Sequence, residues 1–225
     1  KTLETPVFSR GIEILTEKWE LYCCKRGEKT VKTEDFFSAI LKISSPSAIR
    51  RLVRASEKKP VRRGELIIRE GEMQKNLLFL MQGILRGYFI DVYGNDITDC
   101  FNFKPGHPVM SAFEIGGSSM LFIEALTSGE VLRIPVELVK ELLEEETEFI
   151  WIYNYMLRGA LQDIWELKTM LHKCSAQERY QWFLKNYPGL IDQVTNKYIA
   201  SFLRMSPVTL SRLKTGLEKE RHDGR

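Results

Sequence analysis

From residue 61 to residue 135 the chain breaks into short β-prone runs, each closed off within a few residues by glycine or proline. The runs cover 65–69, 77–81, 85–90, 97–101, 121–126 and 131–134. The breaks fall at Gly71, Gly83, Gly94-Asn95, Pro105-Gly106, Gly116-Gly117, Ser128-Gly129 and Pro135. Many short strands with turn chemistry at this spacing predict an antiparallel barrel or roll. Such a domain has an interior able to hold a small ligand.

After this stretch the periodicity changes. Ile150, Tyr153, Leu157, Ala160, Ile164, Leu167 and Leu171 alternate steps of three and four, the spacing of a coiled-coil seam. A helix over this stretch is roughly 35 Å long at 1.5 Å per residue. Met156, Leu161 and Trp165 add a second apolar strip, so one side can meet a partner helix while another rests on its own domain. The seam predicts a dimer interface; a long helix packed within one subunit is the competing reading.

Residues 194–217 read as two short helices joined by a tight turn. Thr195 is placed to cap the first, and Tyr198, Ile199, Phe202 and Leu203 form its apolar face. Ser206 followed by Pro207 starts the second, whose Leu210, Leu213 and Leu217 point inward. Val208, Ser211, Arg212 and Lys214 are left outside, where a DNA major groove could receive them. Arg204 sits in the turn where such motifs commonly place glycine. A left-handed residue there costs about 1–2 kcal/mol, so a looser turn is expected.

Taken alone, that segment is equally a helical hairpin whose polar face meets water. Local charge favours the DNA reading. The whole chain carries only +3, but residues 173–225 hold ten Lys or Arg against five Asp or Glu, a net +5. Residues 136–172 hold three against eight, a net −5. Attraction to phosphate acts through the patch that touches the duplex, so the asymmetry matters more than the sum.

The order of roll, long helix and helix-turn-helix resembles the Crp/Fnr family of bacterial transcription regulators. The resemblance is carried by Arg63-Gly64-Glu65-Leu66-Ile67-Ile68-Arg69-Glu70-Gly71-Glu72, Phe79-Leu80-Met81-Gln82-Gly83-Ile84-Leu85-Arg86, Tyr93-Gly94-Asn95-Asp96-Ile97-Thr98, and Ile199-Ala200-Ser201-Phe202-Leu203 through Ser206-Pro207-Val208-Thr209-Leu210-Ser211-Arg212. It implies an α+β architecture: an antiparallel β-roll like a cyclic-nucleotide-binding jelly roll, flanking helices, a long dimerisation helix and a C-terminal helix-turn-helix domain. The expected boundaries are 1–35 for an N-terminal helical extension, 36–135 for the sensor roll, 136–172 for connecting and dimerisation helices, and 173–225 for the DNA-binding domain. Function then follows as a dimeric, sequence-specific transcription regulator and not an enzyme. In its reader, Pro207, Val208, Ser211 and Arg212 are expected at base edges, with Arg212 best suited to guanine. Thr195, Asn196, Ser206, Thr209 and Lys214 are expected at phosphates.

The resemblance also implies where an effector would sit. Cyclic-nucleotide members of the family hold the ribose with a glutamate and the phosphate with an arginine. The matching places here are Met110-Ser111 and Ser119-Met120, which carry neither charge. An uncharged pair cannot replace an Arg–phosphate contact in a buried pocket, so cAMP or cGMP is not expected to bind in the usual way. Any retained pocket is expected to be lined by Met110, Ser111, Phe113, Ser118, Ser119 and Met120, with Leu157 and Leu161 from the long helix. Glu114 nearby reads as a loop carboxylate.

Other chemistries have less support. Cys23, Cys24, Cys100 and Cys174 lack cluster spacing, and His107, His172 and His222 are scattered, so neither an iron–sulfur cluster, haem nor any other metal is expected. With no H-x-H, P-loop, G-x-S-x-G or H-E-x-x-H, a cupin-like enzyme is disfavoured. The alternative function is an effector-independent regulator governed by abundance or a protein partner. Expected partners are double-stranded DNA and a second copy, with RNA polymerase and an unidentified small-molecule effector as further candidates. Few cysteines and no spanning segment fit a cytoplasmic protein and no membrane partner. Ile12, Leu15, Trp19 and Tyr22 suggest an amphipathic N-terminal helix. Arg50, Arg51, Arg54, Lys58, Lys59, Arg62 and Arg63 read as a solvated basic helix face.

Overall fold

The computed structural model describes residues 31–223, with side chains as far as 216. The expectations for residues 1–30, including the amphipathic helix and Cys23-Cys24, lie outside the described residues, as do those for the side chains of Leu217 and His222. A helical turn, α1 (Thr33–Asp35), widens into a π-helical turn over Phe36–Ile40. That turn puts Phe36, Phe37 and Ile40 into the interior. Helix α2 (Pro46–Ala55) starts at Ser45, whose hydroxyl accepts from the Ala48 N–H at 3.4 Å, with Pro46 in the first turn where its missing N–H costs nothing.

Seven strands follow: β1 (Glu57–Val61), β2 (Leu66–Ile68), β3 (Asn76–Gln82), β4 (Leu85–Ile90), β5 (Asp96–Asn102), β6 (Phe122–Ala125) and β7 (Gly129–Pro135). Six lie where the sequence places them. The seventh, β1, corrects the reading of the basic cluster. Arg50, Arg51 and Arg54 are on α2, but Lys58 and Lys59 belong to a strand and Arg62 and Arg63 follow it. β1 is the edge of its sheet, where lysine and proline are tolerated because one row of backbone groups has no neighbouring strand. Its lysines find local partners: Lys58 Nζ donates to the Val31 carbonyl at 2.8 Å, and Lys59 pairs with Glu65 at 3.1 Å.

The strands form a three-stranded sheet, β1–β7–β3, and a four-stranded sheet, β2–β6–β4–β5. Both faces of the first are covered. Leu78, Leu80 and Val131 meet Ile68, Leu85, Ile123 and Ala125 of the second sheet, which makes the interior of the roll. From the opposite face, Phe79, Met81, Leu132 and Ile134 meet Phe36, Phe37, Ile40 and Leu52 of the helical segments. Phe36 and Phe79 pack edge to face at 5.1 Å. Such pairs add about 0.5–1.5 kcal/mol beyond burial alone.

Two helices leave this core, α3 (Val136–Glu145) and α4 (Thr147–Lys173). Glu148, in the first turn of α4, accepts from the backbone N–H groups of Ser44 and Ser45 at 2.9 and 3.1 Å and from the Ser44 hydroxyl at 2.7 Å. Ser45 Oγ donates to Glu146 at 3.1 Å, and Arg51 on α2 bridges Glu141 and Glu145 of α3. The start of α2 is thereby tied to the junction of α3 and α4. Within the described residues the chain divides into two compact units. One runs to Gly87 and resumes over Phe101–Gln162; the other is Tyr88–Cys100 with Asp163–Arg225. The outer half of the β4–β5 hairpin thus groups with the C-terminal helices, and the division between the compact units falls inside α4.

Partial burial alone would raise the Glu148 pKa, but its three hydrogen bonds from Ser44 and Ser45 outweigh this and hold it below the ordinary 4.5. A depressed carboxylate contributes stability above its unfolded value and loses it as pH falls through the folded value. Glu148→Gln should therefore flatten the loss of stability below about pH 5, with the difference from wild type largest at neutral pH. Urea denaturation at a series of pH values reads this directly; parallel curves for the two proteins would contradict it.

Candidate nucleic-acid interface

The C-terminal unit carries α5 (Ala176–Asn186), α6 (Leu190–Gln193), α7 (Asn196–Phe202) and α8 (Pro207–Asp223). A capping box starts α5: Ser175 Oγ accepts from the Glu178 N–H, and the Glu178 carboxylate accepts from the Ser175 N–H. Phe183 stacks on Tyr187 at 5.1 Å, and Phe202 meets the Tyr187 ring edge-on at 5.3 Å. Ile199, Leu203 and Leu210 close the same core, and all three are fully buried. Burial lifts the Tyr187 hydroxyl above its usual range, and Asp163, Cys100, Asp99 and Glu166 push the same way. Of the apolar faces predicted for the two helices, Ile199, Phe202, Leu203 and Leu210 are buried and Tyr198 and Leu213 half-buried.

The turn between α7 and α8 is tight. Arg204 adopts φ 50°, its N–H donates to Ser201 O at 3.1 Å, and the Met205 N–H donates to Ala200 O at 3.0 Å. This pair of bonds is a Schellman closure with arginine in the left-handed position. The expectation of a looser turn is corrected: the backbone pays the conformational cost to close the helix end. Asp99 on β5 has a carboxyl raised in pKa by the atoms crowding it, although the residue keeps solvent contact, and the Arg204 charge pulls the other way.

Two further contacts fix α7 from the same hairpin. Lys197 Nζ donates to Asp96 at 2.8 Å, and the buried Thr98 N–H donates to Ser201 Oγ at 2.9 Å. Lys197 and Ser201 stand four residues apart, so one face of α7 meets Asp96 and Thr98, and Arg204 in the turn beyond it acts on Asp99 through its charge. Sequence reasoning missed this backing. Its partners lie about a hundred residues apart in the chain, and no local pattern announces them.

The second helix presents the expected surface in part. Ser206 Oγ accepts from the Thr209 N–H at 3.0 Å, capping α8, and also lies 2.9 Å from the Thr209 hydroxyl. Pro207, Val208, Ser211 and Arg212 are exposed, as are Thr195, Asn196 and Ser206. Thr209 and Lys214 are half-buried, so Lys214 is less outward than its spacing suggests. Thr195 occupies the cap position of α7 but its hydroxyl makes no cap bond; its carbonyl instead accepts from Tyr198 at 3.0 Å.

The long helix redistributes its seam. Tyr153 turns toward the core with Met156, and Ala160, Leu167 and Leu171 are half-buried. Ile150 is 44% exposed, Leu161 55%, Ile164 61% and Trp165 57%, while Leu157 is half-buried. The open stripe therefore includes Leu161 and Trp165, which the heptad reading assigned to the second strip. At 3.6 residues per turn a strict 3.5-residue seam drifts around a straight helix, and packing on the sheet selects which side is covered.

The eight residues expected at an effector pocket do not converge on one. Phe113 is 80% and Met120 51% exposed, and Ser118 and Leu161 are also at the surface. Ser111 and Ser119 are buried; the Ser119 hydroxyl donates to Leu121 O at 2.6 Å, and the main-chain carbonyl of Ser111 accepts from the Met120 N–H at 2.7 Å. Met110 and Leu157 are half-buried. Desolvation, aided by Lys104, lowers the His107 pKa to about 3, so its imidazole stays neutral at ordinary pH. Among the described residues no cluster of three metal-ligating side chains occurs, and no helix is long and apolar enough to cross a membrane.

No protein-family model matches the chain. Its relatives include the regulatory protein HlyX of Actinobacillus pleuropneumoniae, 22% identical over 173 residues, covering 72% of each chain. The fumarate and nitrate reduction regulatory protein of Vibrio cholerae is 23% identical over 173 residues, covering 72% of this chain and 69% of its own. Among solved structures, FixK2 from Bradyrhizobium japonicum superposes with a TM-score of 0.67 at 19% identity, covering 73% of this chain and 85% of its own. A transcriptional regulator of the Crp/Fnr family from Eubacterium rectale gives 0.65 at 17%, covering 83% and 88%. The chain is similar to Crp/Fnr-type regulators, in sequence at 22–23% identity and in fold. It shares the antiparallel β-sheets and long helix of those structures, and the relatives named are regulatory proteins.

Within this C-terminal unit, Ser201→Ala removes the acceptor of a buried N–H and should cost about 1–3 kcal/mol of stability. Thermal denaturation measures it; an unchanged midpoint would show that Thr98 does not depend on Ser201. Arg204→Gly relieves the left-handed residue and should leave stability within about 1 kcal/mol of wild type, whereas β-branched Arg204→Val should lower it further.

Proposed function

We propose that the chain is a dimeric, sequence-specific DNA-binding transcription regulator whose α8 enters the major groove. The observation that carries this reading is the exposed N-terminal end of α8, where Pro207, Val208, Ser211 and Arg212 stand clear of a helix fixed by the Ser206 cap. Base edges are read by such side chains from a rigid helix, and Arg212 can bridge guanine O6 and N7 with its fork. Thr195, Asn196 and Ser206, exposed beside it, suit phosphate contacts. The net +5 of residues 173–225 supplies the attraction that does not depend on sequence.

Dimerisation through the open stripe of α4 places two readers about one duplex turn apart. The exposure of Ile150, Leu161, Ile164 and Trp165 supports it, since an apolar row on one helix gains from a second copy of itself. A cyclic nucleotide is not the effector in this reading, because neither Ser111 nor Ser119 offers a charge to a phosphate and the Ser119 hydroxyl already bonds backbone carbonyls.

Selection of bound DNA from a random pool by the purified protein, at stated salt, should enrich a palindromic site. No enrichment would count against the reading. On that site Arg212→Ala should lose about 1–3 kcal/mol and relax preference at one base pair. Equal loss on all sequences would make Arg212 a phosphate contact instead. Ile164→Asp should yield monomers in sedimentation.

A further inference from the structure

We infer that an apolar cavity on the helical face of the β1–β7–β3 sheet is a binding site for a small uncharged apolar molecule, and that its occupant acts on α4. The cavity measures about 40 Å³ and is lined by fourteen residues, among them Leu52 of α2, Phe79 of β3, Ile134 of β7, Val139 of α3, and Tyr153 and Met156 of α4. It lies on the opposite face of the sheet from the roll interior, where Leu78, Leu80 and Val131 pack. It is therefore a different place from the one expected around Ser111 and Ser119, none of whose residues lines it.

The lining sets the ligand class. Apart from the Tyr153 hydroxyl, no lining side chain carries an oxygen or nitrogen. A water needs two to four polar partners to settle, and a phosphate, sugar or carboxylate needs more, so such groups would lose hydration without replacement. Dry cavities walled by leucine, isoleucine and phenylalanine accept inert gases and small hydrocarbons. The volume fits a guest of only a few heavy atoms.

The walls also give the output. Phe149, Ile152, Tyr153 and Met156 line the cavity from one side of α4, while Ile150 and Leu161 on its other side are open. The hydrogen bonds of Ser44 and Ser45 to Glu148, and the bridge from Arg51 to Glu141, tie the α2 side to the α3–α4 junction. A guest that changes packing under α4 changes the seating of the helix whose outer face is proposed to pair. This second half rests on the regulator reading; binding itself does not.

Xenon is the probe. In the full chain with carbon-13-labelled Ile, Leu and Met methyls, xenon pressure should shift Leu52, Ile134 and Met156 saturably and leave Leu80 and Ile123 of the roll interior unmoved. Val139→Phe, or the more forgiving Leu143→Phe at a half-buried wall, should abolish the shift with the remaining spectrum folded. Absence of a saturable shift, or its persistence in a folded filled variant, would overturn the site. The output is read as the dimer dissociation constant by sedimentation with and without xenon. A change of roughly fivefold or more supports the coupling, and no change in a protein that binds xenon overturns it. Failure of DNA selection would affect neither measurement, so the two readings fail separately.

Discussion

Strands β3 and β7 are apolar on both faces because the sheet they share with β1 is covered twice, by the second sheet on one side and by helices on the other. Everything else in the sensor unit is placed by that double burial. A strand that alternates its side chains between two dry interiors cannot slip by one residue without moving its whole set of side chains to the wrong core. β7 runs directly into α3, so the direction in which the helices leave is set at Pro135 by the register of a pinned strand. The ties from Ser44, Ser45 and Arg51 then hold the junction with α4.

The reader unit solves a different problem. Four short helices cannot each be stable in isolation, since nucleation is costly and their ends leave backbone groups unpaired. Caps at Ser175 and Ser206, the Schellman closure at Arg204 and the rings of Phe183, Tyr187 and Phe202 compensate. The outer half of the β4–β5 hairpin adds Asp96 and Thr98 against one face of α7. The tight turn tolerates arginine, at a cost that a glycine would not carry, with the carboxylate of Asp99 near enough to feel its charge. What results is a rigid α8 with its first turns uncovered, as groove recognition requires.

Helix α4 divides its apolar residues between two duties. Phe149, Ile152 and Met156 complete the core, and Ile150, Leu161, Ile164 and Trp165 remain at the surface. That exposed apolar row is the surface that the proposed dimer would bury. The same helix thus has one side in the core, over the cavity beneath its first turns, and the other side open.

By itself, the sequence determined the six strands flagged by glycine, the long helix, and the C-terminal helix pair with its Ser206-Pro207 start. These are local properties: turn chemistry, periodicity and capping act between residues close in the chain. Tertiary structure decided what local patterns cannot express. β1 looked like a basic helix face because lysine and proline are permitted only by its edge position. Tyr153 exchanged places with Leu161 and Trp165 because the sheet, not the heptad, chose the buried side of α4. The cavity on the helical face, formed where bulky apolar side chains from distant elements leave space between them, has no signature in the sequence. Burial of one surface against another is a non-local choice, and it was made only when the sheet acquired both its faces.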